Sequence, residues 1–227
     1  MANTVELQTT SRERRTAIPV RSGRAGQYLV HAGSRPDEIF RLERGWAIQF
    51  RFLPDGRRHI IDYFVAGDWC DISWLTGDNA VDAVRAVTDF SATPFCADRA
   101  RGMIASHQAL TLQVQSMLSR RLRLQTERAL GLGRKTATER LAHLLCEISA
   151  RMEAAGLVED GQCVMPLTQT DLADLSGLTP IHVNRVLQQL RAAEMIGLSA
   201  KRLTIVSPER LQRLAMFCGD YLVQPTK

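Results

Sequence analysis

Short runs of hydrophobic residues separated by turn residues dominate the chain from Gln27 to about Thr93. Two of these runs, Ala47–Phe52 and His59–Val65, flank the turn signal Pro54-Asp55-Gly56-Arg57 and therefore predict a β-hairpin. Strands this short at this spacing are typical of a compact β-roll or barrel. We therefore expect a β-domain in the first half of the chain.

The hydrophobic period changes from two to about 3.6 residues near Asp98, which predicts helices beyond that point. Within a helix from about Ala109 to Leu130, one set of positions alternates in steps of four and three residues. This set is Leu110, Val114, Met117, Arg121 and Leu124. The spacing predicts the contact line of a coiled coil between two copies of the chain, and packing within the chain's own domain is the alternative. Gly131 and Gly133 are expected to end the helix and to form a hinge.

A pair of short helices joined by a tight turn is predicted between Leu167 and Leu190. Thr168 can cap the first helix together with Asp171, because the side chain of each can bond the backbone N–H of the other. Gly177 supplies the left-handed conformation that ends this helix, and Thr179 caps the second one. The spacing of these elements is that of a helix-turn-helix.

The second helix of the pair has two chemically different faces. Its apolar face repeats at i, i+3, i+4 and i+7 and consists of Val183, Val186, Leu187 and Leu190. The opposite face consists of Ile181, Asn184, Arg185 and Gln188. Asn and Arg match the hydrogen-bonding edges of adenine and guanine, and an apolar side chain can contact the thymine methyl group. This face therefore predicts base recognition in DNA, with an ordinary helical hairpin as the alternative.

A basic-tipped β-hairpin is predicted after the two helices. A turn at Glu194–Gly197 leads to the β-branched run Arg202–Val206, and Lys201 and Arg202 lie at the tip. Helix, helix and hairpin in this order predict a winged helix-turn-helix. DNA binding is therefore the working hypothesis.

Composition and charge agree with DNA binding and argue against several other classes of protein. The 227-residue chain has a net charge of +5 and a pI near 9.2, which suits a polyanionic partner. We expect no membrane span and no signal peptide, because no apolar run is long enough. The sequence contains no pairing of a nucleophile with a general base, so nothing in it indicates an enzyme.

The cysteines lack metal-ligand or disulfide spacing, so we expect no metal, no cofactor and a reducing cytoplasm. They are Cys70, Cys96, Cys146, Cys163 and Cys218.

The order of these parts resembles the CRP/FNR family of bacterial transcription regulators over about residues 27–206. The most specific motifs are Pro54-Asp55-Gly56, the Gly67-Asp68 turn and the run from Leu172 to Arg185. The resemblance implies an α+β fold with an N-terminal cyclic-nucleotide-binding-like β-roll, a long dimerisation helix and a C-terminal winged helix-turn-helix. The domains implied are 1–20 (N-terminal lead-in), 21–108 (β-roll), 109–132 (dimerisation helix and hinge) and 133–227 (DNA-binding domain).

The resemblance also implies partners and site residues. It implies a homodimer on a palindromic operator in double-stranded DNA, with recognition helices about 34–36 Å apart, and RNA polymerase as a further partner. By position, Ile181, Asn184 and Arg185 read bases, with Gln188 beside them. Arg185 matches a nearly constant family arginine, whereas Ile181 replaces a glutamate, so we do not expect the usual half-site. The residues expected near phosphates are Thr168, Gln169, Thr170, Thr179, His182, Arg191, Lys201 and Arg202. A solvated side chain is the alternative for His182.

The region that would sense a signal departs from the known branches of the family. Cyclic-nucleotide-binding members carry a glutamate where this chain has Ile72, and an arginine in a segment that is shortened here. Asp78 and Asp82 would repel a cyclic phosphate. The iron–sulfur branch needs clustered N-terminal cysteines, and none precedes Cys70. We therefore expect an unidentified signal or constitutive activity, with a cyclic-nucleotide-responsive regulator as the alternative.

Single residues able to bind haem are also present, namely His31, His59 and Cys70, although a structural role is the simpler interpretation of each. Redox sensing by an exposed cysteine likewise stays open, although no cysteine has an obvious thiolate-stabilising neighbour in the sequence. The sequence therefore predicts a DNA-binding regulator without identifying its effector.

Overall fold

The computed structural model describes residues 19–222 except 71, 73–74 and 76–78. Its first part is a β-domain in which the described strands form two antiparallel sheets, ordered β1-β8-β3-β6 and β2-β7-β4-β5. Residues of both sheets, such as Leu42 and Val84, share one buried core, so the predicted β-roll is confirmed. The strands are β1 (Arg21–Gly23), β2 (Tyr28–Val30), β3 (Glu38–Arg44), β4 (Ala47–Phe52), β5 (Arg58–Phe64), β6 (Trp69–Cys70), β7 (Ala83–Ala86) and β8 (Phe90–Cys96).

The predicted hairpin is formed by β4 and β5. The two strands pair antiparallel, from Ala47 opposite Phe64 to Phe52 opposite Arg58. Gly56 adopts a φ of 86° in the connecting turn, a conformation that a residue without a Cβ takes at no steric cost. The turn therefore places Arg58 at the first position of β5.

Two helices follow the β-domain, α1 (Ala97–Ser106) and α2 (Gln108–Arg134). The expectation that Gly131 and Gly133 end α2 was wrong, because the helix continues through both glycines. A helical glycine costs only about 0.5–1 kcal/mol relative to alanine, which is too little to end a long helix. The break comes instead at Lys135, whose backbone is extended and which precedes the N-cap of the next helix.

Two members of the predicted coiled-coil contact line of α2 pack within the chain itself. Leu124 is only 4% exposed in the single chain. Arg121 donates a hydrogen bond to Gln49 of β4, and its guanidinium lies 5.9 Å from the centre of the Phe64 ring. The other members of the set, Leu110, Val114 and Met117, are half-buried. The heptad spacing thus identified an apolar stripe correctly, but for Arg121 and Leu124 its partner is the chain itself, the alternative named above.

The C-terminal part contains a winged helix-turn-helix, as predicted. Its first helix, α3, begins with a capping box between Thr136 and Glu139. The described strands of this part form a sheet in the order β11-β12-β10-β9. The elements are α3 (Ala137–Ala154), β9 (Val158–Glu159), β10 (Gln162–Val164), α4 (Gln169–Ser176), α5 (Pro180–Ala192), β11 (Ile196–Ser199), β12 (Arg202–Ile205), α6 (Pro208–Ala215) and a 3-10 turn (Gly219–Leu222).

The β-domain and the C-terminal helices share a hydrophobic core. Trp46 and Tyr63 from the β-domain belong to the same cluster of buried side chains as Leu145 of α3 and Leu187 of α5. The helix-turn-helix is therefore packed onto the β-domain rather than joined to it only through a hinge. No helix in the described part of the chain has the length and hydropathy needed to cross a bilayer.

Candidate nucleic-acid interface

The first helix of the pair, α4, is fixed at its start by a reciprocal capping box. The Thr168 hydroxyl accepts the backbone N–H of Asp171 at 3.1 Å, and the Asp171 carboxylate accepts the backbone N–H of Thr168 at 3.0 Å. Both bonds satisfy N–H groups that have no partner inside the helix. The predicted cap is thus confirmed.

Gly177 makes the turn between the helices. It has φ 62° and ψ 38°, and the next residue, Leu178, donates its N–H to the carbonyl of Ala173 at 3.0 Å. A Cβ at Gly177 would be strained by the left-handed backbone, and it would lie 2.7 Å from Leu132 Cδ2 of α2, so Leu132 would also have to move. Thr179 then caps α5 by accepting the His182 N–H at 3.3 Å.

The two faces of α5 are separated as the sequence predicts. Val183, Val186, Leu187 and Leu190 are buried in the shared core. Ile181 is 82% exposed, and Asn184, Arg185 and Gln188 are exposed on the same side. Among the described residues, none forms a hydrogen bond or ion pair with the side chains of Asn184, Arg185 or Gln188. This surface, which we call the reading face (Ile181, Asn184, Arg185, Gln188), is therefore available to a partner.

The residues expected near phosphates are all exposed and lie on three elements. Thr168, Gln169 and Thr170 start α4, Thr179 and His182 start α5 with Arg191 near its end, and Lys201 and Arg202 lie at the wing tip. The Thr168 and Thr179 hydroxyls already serve as caps, and Thr179 also contacts His182 Nδ1 at 3.1 Å. Lys201 has a φ of 61° in the wing turn, where its side chain is exposed.

Sequence reasoning missed an ion pair between the hairpin and α4. Arg58 of β5 donates from Nη2 to Asp171 Oδ1 at 2.5 Å and from Nε to Asp174 Oδ2 at 2.7 Å. The Arg58 side chain is 15% exposed, and both carboxylates are also largely covered. Burial alone would raise the pKa of Asp171, but hydrogen bonds from Thr168 and the Arg58 charge lower it below its ordinary value. The only signal in the sequence was the i, i+3 acidic pair on α4.

A second missed cluster of charges lies where β5, α2 and α3 meet. Arg151 of α3 donates to Asp62 at 3.2 Å and to Asp68 at 2.9 Å, and Arg128 of α2 donates to Glu147 at 2.7 Å. Burial raises the pKa of Asp62, but the positive charges of Arg128 and Arg151 outweigh it and the net pKa is lowered. Helices α2 and α3 are therefore tied to the middle of β5 by buried charges.

The described residues of the sensing region do not fit a cyclic nucleotide. Ile72, at the position of the family's ribose-binding glutamate, is apolar and buried. Asp82 accepts hydrogen bonds from Arg51 at 2.7 Å and from Gln49 Nε2 at 2.9 Å, so the segment that carries the phosphate-binding arginine in cyclic-nucleotide-binding members presents a carboxylate here. Arg85 lies over the Phe50 ring at 5.5 Å, an ordinary strand position. Asp78 lies outside the described residues.

The histidines and cysteines named above are distributed without forming a common site. His31 stacks on Tyr28, His59 is exposed and Cys70 is buried. In the described part of the chain, no group of three or more His, Cys, Asp or Glu side chains is placed to hold a metal ion. The structure therefore assigns no effector to the β-domain.

Known proteins are similar to this chain over most of its length. A model of the Crp-like helix-turn-helix domain matches residues 139–214, and one of the cyclic nucleotide-binding domain matches residues 20–107. The nitrogen fixation regulation protein FixK of Rhizobium meliloti is 27% identical over 190 residues, covering 83% of each chain. The transcriptional activator protein FnrL of Cereibacter sphaeroides is 30% identical over 203 residues, covering 88% of this chain and 80% of the relative. The solved structure of FixK2 from Bradyrhizobium japonicum has a TM-score of 0.81 at 25% identity, covering 88% of this chain and 98% of that one.

Proposed function

This chain belongs to the CRP/FNR family of transcription regulators, and we propose that it binds a palindromic operator as a homodimer in the bacterial cytoplasm and acts on RNA polymerase. The relatives above are regulators and not enzymes. The observation that carries the proposal is the reading face of α5, which is exposed and without intrachain partners while the opposite side of the helix is locked in the core. A helix held in this way can enter a major groove without rearrangement of its side chains.

The residue types of the reading face suggest which bases it contacts. An arginine in the position of Arg185 bonds guanine O6 and N7 with two N–H groups, and an asparagine in the position of Asn184 pairs with adenine N6 and N7. Ile181 lies one helical turn earlier and offers only methyl groups, which fit a thymine methyl and not the amino group of cytosine. We therefore propose a half-site with thymine where family members with glutamate select cytosine.

The polar start of α4 and the wing are proposed to contact the DNA backbone, whose phosphates are the same in every base sequence. Gln169, Thr170, His182 and the wing tip with Lys201 and Arg202 are exposed on the elements that flank the reading face. Side chains of this kind, together with unpaired N–H groups at a helix start, bind phosphate oxygens and set the register on the duplex. Arg191 is a weaker candidate, because its Nε already bonds the Leu187 carbonyl at 3.3 Å.

Dimerisation is proposed through the outer face of α2. Since Arg121 and Leu124 pack within the chain, the apolar residues left for a second copy are the half-buried Leu110, Val114 and Met117 and the exposed leucines of the helix. The exposed leucines are Leu112, Leu118, Leu122, Leu130 and Leu132. Leu118 and Leu122 are four residues apart and so share one face of the helix, as a helix–helix contact requires.

No effector is part of this proposal. The match to the cyclic nucleotide-binding model favours cAMP or cGMP as the second candidate signal. Ile72 and the Asp82–Arg51 pair argue against it, for the reasons given above. Isothermal calorimetry with both nucleotides distinguishes the two, and micromolar binding of either would establish the second candidate.

Selection of bound sequences from a random duplex pool tests the proposal. The wild-type protein is expected to enrich a palindrome. Each half should contain the thymine, adenine and guanine assigned above to Ile181, Asn184 and Arg185. Arg185→Ala is expected to lose about 1–3 kcal/mol per half-site and the guanine preference, and Ile181→Glu to replace thymine by cytosine at one position. Arg57→Ala, which removes an exposed arginine of the β-domain, is the control. Failure of the wild-type protein to enrich any sequence would refute the proposed function.

A further inference from the structure

One arginine connects the β-domain directly to the first helix of the helix-turn-helix. Arg58 at the start of β5 contacts Asp171 at 2.5 Å and Asp174 at 2.7 Å, two residues that α4 presents on one face. The guanidinium uses different nitrogens for the two carboxylates, so its plane is fixed by both. All three side chains are largely covered, which keeps the pairing from being screened as a surface ion pair is.

The two carboxylates have different roles. Asp171 also completes the capping box with Thr168, and its second oxygen accepts the Thr168 hydroxyl at 2.7 Å. Among the described residues, Asp174 pairs with Arg58 alone. The first turn of α4 is thus tied simultaneously to its own cap and to the β-domain.

The rest of the helix-turn-helix follows α4 as one body. Leu172 and Leu175 of α4 lie in the same core cluster as Val183 and Leu187 of α5, so a rotation of α4 carries the reading face with it. The buried charges of Arg151 hold α3 to the β-domain at a separate place. Because α3 and α4 are attached to the β-domain at two separate places, the helix-turn-helix cannot rotate relative to the β-domain about one attachment while the other stays intact.

We propose that Arg58 is a positioning residue that sets the orientation of the reading face relative to the β-domain and thereby the half-site spacing that the dimer accepts. The inference rests on the proposed function, because spacing matters only to a protein with two reading faces. A palindrome requires the recognition helices one DNA turn apart, and each base pair contributes about 3.4 Å. Loss of the Arg58 contacts lets each reading face shift, so that operators with one base pair more or fewer between their halves become acceptable.

The test measures the affinity of the full-length protein for operators whose central spacer is varied by one and two base pairs. Arg58→Ala and Asp174→Asn are expected to lower the affinity for the best operator about tenfold, within the 5–150-fold range of typical coupling between sites. They are also expected to lower the affinity for operators with other spacer lengths much less. The difference in affinity between the best operator and the others therefore becomes smaller. The double variant is expected to be no worse than Arg58→Ala, because Arg58→Ala already removes the contact with Asp174.

Three comparisons separate positioning from general stability. Asp174→Asn keeps the size of the side chain and the Asp171 capping box, so it tests the contact in a folded protein. Arg58→Lys is expected to fall between wild type and Arg58→Ala, since an ammonium group lacks the fork that reaches both carboxylates. Arg57→Ala, at an adjacent side chain that is 76% exposed, is expected to keep the wild-type spacing preference.

The outcomes are distinguishable. If Asp174→Asn and Arg58→Lys keep the full spacing discrimination while only thermal stability falls, Arg58 is a structural residue and the inference is wrong. If the wild-type protein selects no operator at all, the proposed function is wrong, and the inference about Arg58, which depends on it, is wrong too. A spacing preference that flattens in the Arg58 and Asp174 variants but not in Arg57→Ala supports the inference.

Discussion

Replacing Arg151 by methionine is expected to destabilise the junction between the β-domain and α3 severely. The guanidinium is 6% exposed and donates to Asp62 at 3.2 Å, to the Tyr63 carbonyl at 2.8 Å and to Asp68 at 2.9 Å. It also lies 4.0 Å from the centre of the Tyr63 ring. Methionine fills much of the same volume but provides no donor and no charge.

The magnitude follows from what the substitution leaves behind. Asp62 and Glu147 stay buried, and Arg128 lies 3.2 Å from Asp62 and 2.7 Å from Glu147. Removing one partner of a buried ion pair costs about 3–5 kcal/mol, because the other charge is left uncompensated. Each kcal/mol lowers Tm by about 2–4 °C in a chain of this length, so the expected decrease is about 6–20 °C.

Denaturant unfolding followed by tryptophan fluorescence measures the loss, since Trp46 stacks on Tyr63 at a centroid distance of 5.5 Å. Arg57→Ala, the exposed control, is expected to change the free energy of unfolding by less than about 0.5 kcal/mol. A loss below about 1 kcal/mol in Arg151→Met would show that the cluster does not hold the domains together and would refute the reasoning.

The pH dependence provides an independent check. The pKa of Asp62 is lowered in the folded protein, so its ionised form contributes stability above the ordinary value of 3.8 and loses that contribution as the pH falls below it. Arg151→Met removes part of the cause of that lowering. The difference in stability between wild type and Arg151→Met is therefore expected to be full at neutral pH and to shrink below about pH 4. A difference that stays constant down to pH 3 would contradict this account.

Two further predictions concern the dimer and the thiols. Leu122→Glu is expected to convert the proposed dimer into a monomer in sedimentation equilibrium and to abolish cooperative operator binding. Ala at the neighbouring exposed Arg123 is expected to leave both unchanged, and a Leu122→Glu variant that stays dimeric would show that Leu122 is not in the interface. In the native protein, a thiol reagent at pH 7 is expected to label Cys96 and Cys218, which are exposed. Cys146 is expected to stay unlabelled because burial raises its pKa to about 12; its rapid labelling would show that α3 opens.

The parts of the structure that the sequence predicted well are those set by neighbouring residues. The caps at Thr168 and Thr179, the turn at Gly177 and the two faces of α5 all depend on residues within one or two helical turns. Helical period, capping chemistry and the special conformations of glycine are local properties, and a single sequence contains them completely. The residues proposed to touch DNA could be located for the same reason.

The features that the sequence did not predict depend on partners far along the chain. Arg58 is 113 positions from Asp171, and no periodicity links a strand residue to a helix that distant. The stripe with Arg121 and Leu124 was visible, but whether it meets a second copy or the chain's own β-domain depends on tertiary packing. The end of α2 was misplaced because glycine lowers helix stability by less than packing returns over a helix of this length.

Both ties between the β-domain and the DNA-binding part reach a single strand. Arg58, which holds α4, and Asp62, which helps to hold α3, both lie on β5, on either side of the point where its pairing register with β4 shifts. A displacement of β5 consequently moves α3 and α4 together and, through their shared core, the reading face. If β5 has two positions, a ligand of the β-domain changes DNA binding only when it binds one of these positions more tightly than the other. The size of the change is limited by the difference between the two affinities. A search for the signal should therefore monitor β5, and a compound that binds while leaving the Arg58 and Asp62 contacts intact is not expected to change operator affinity.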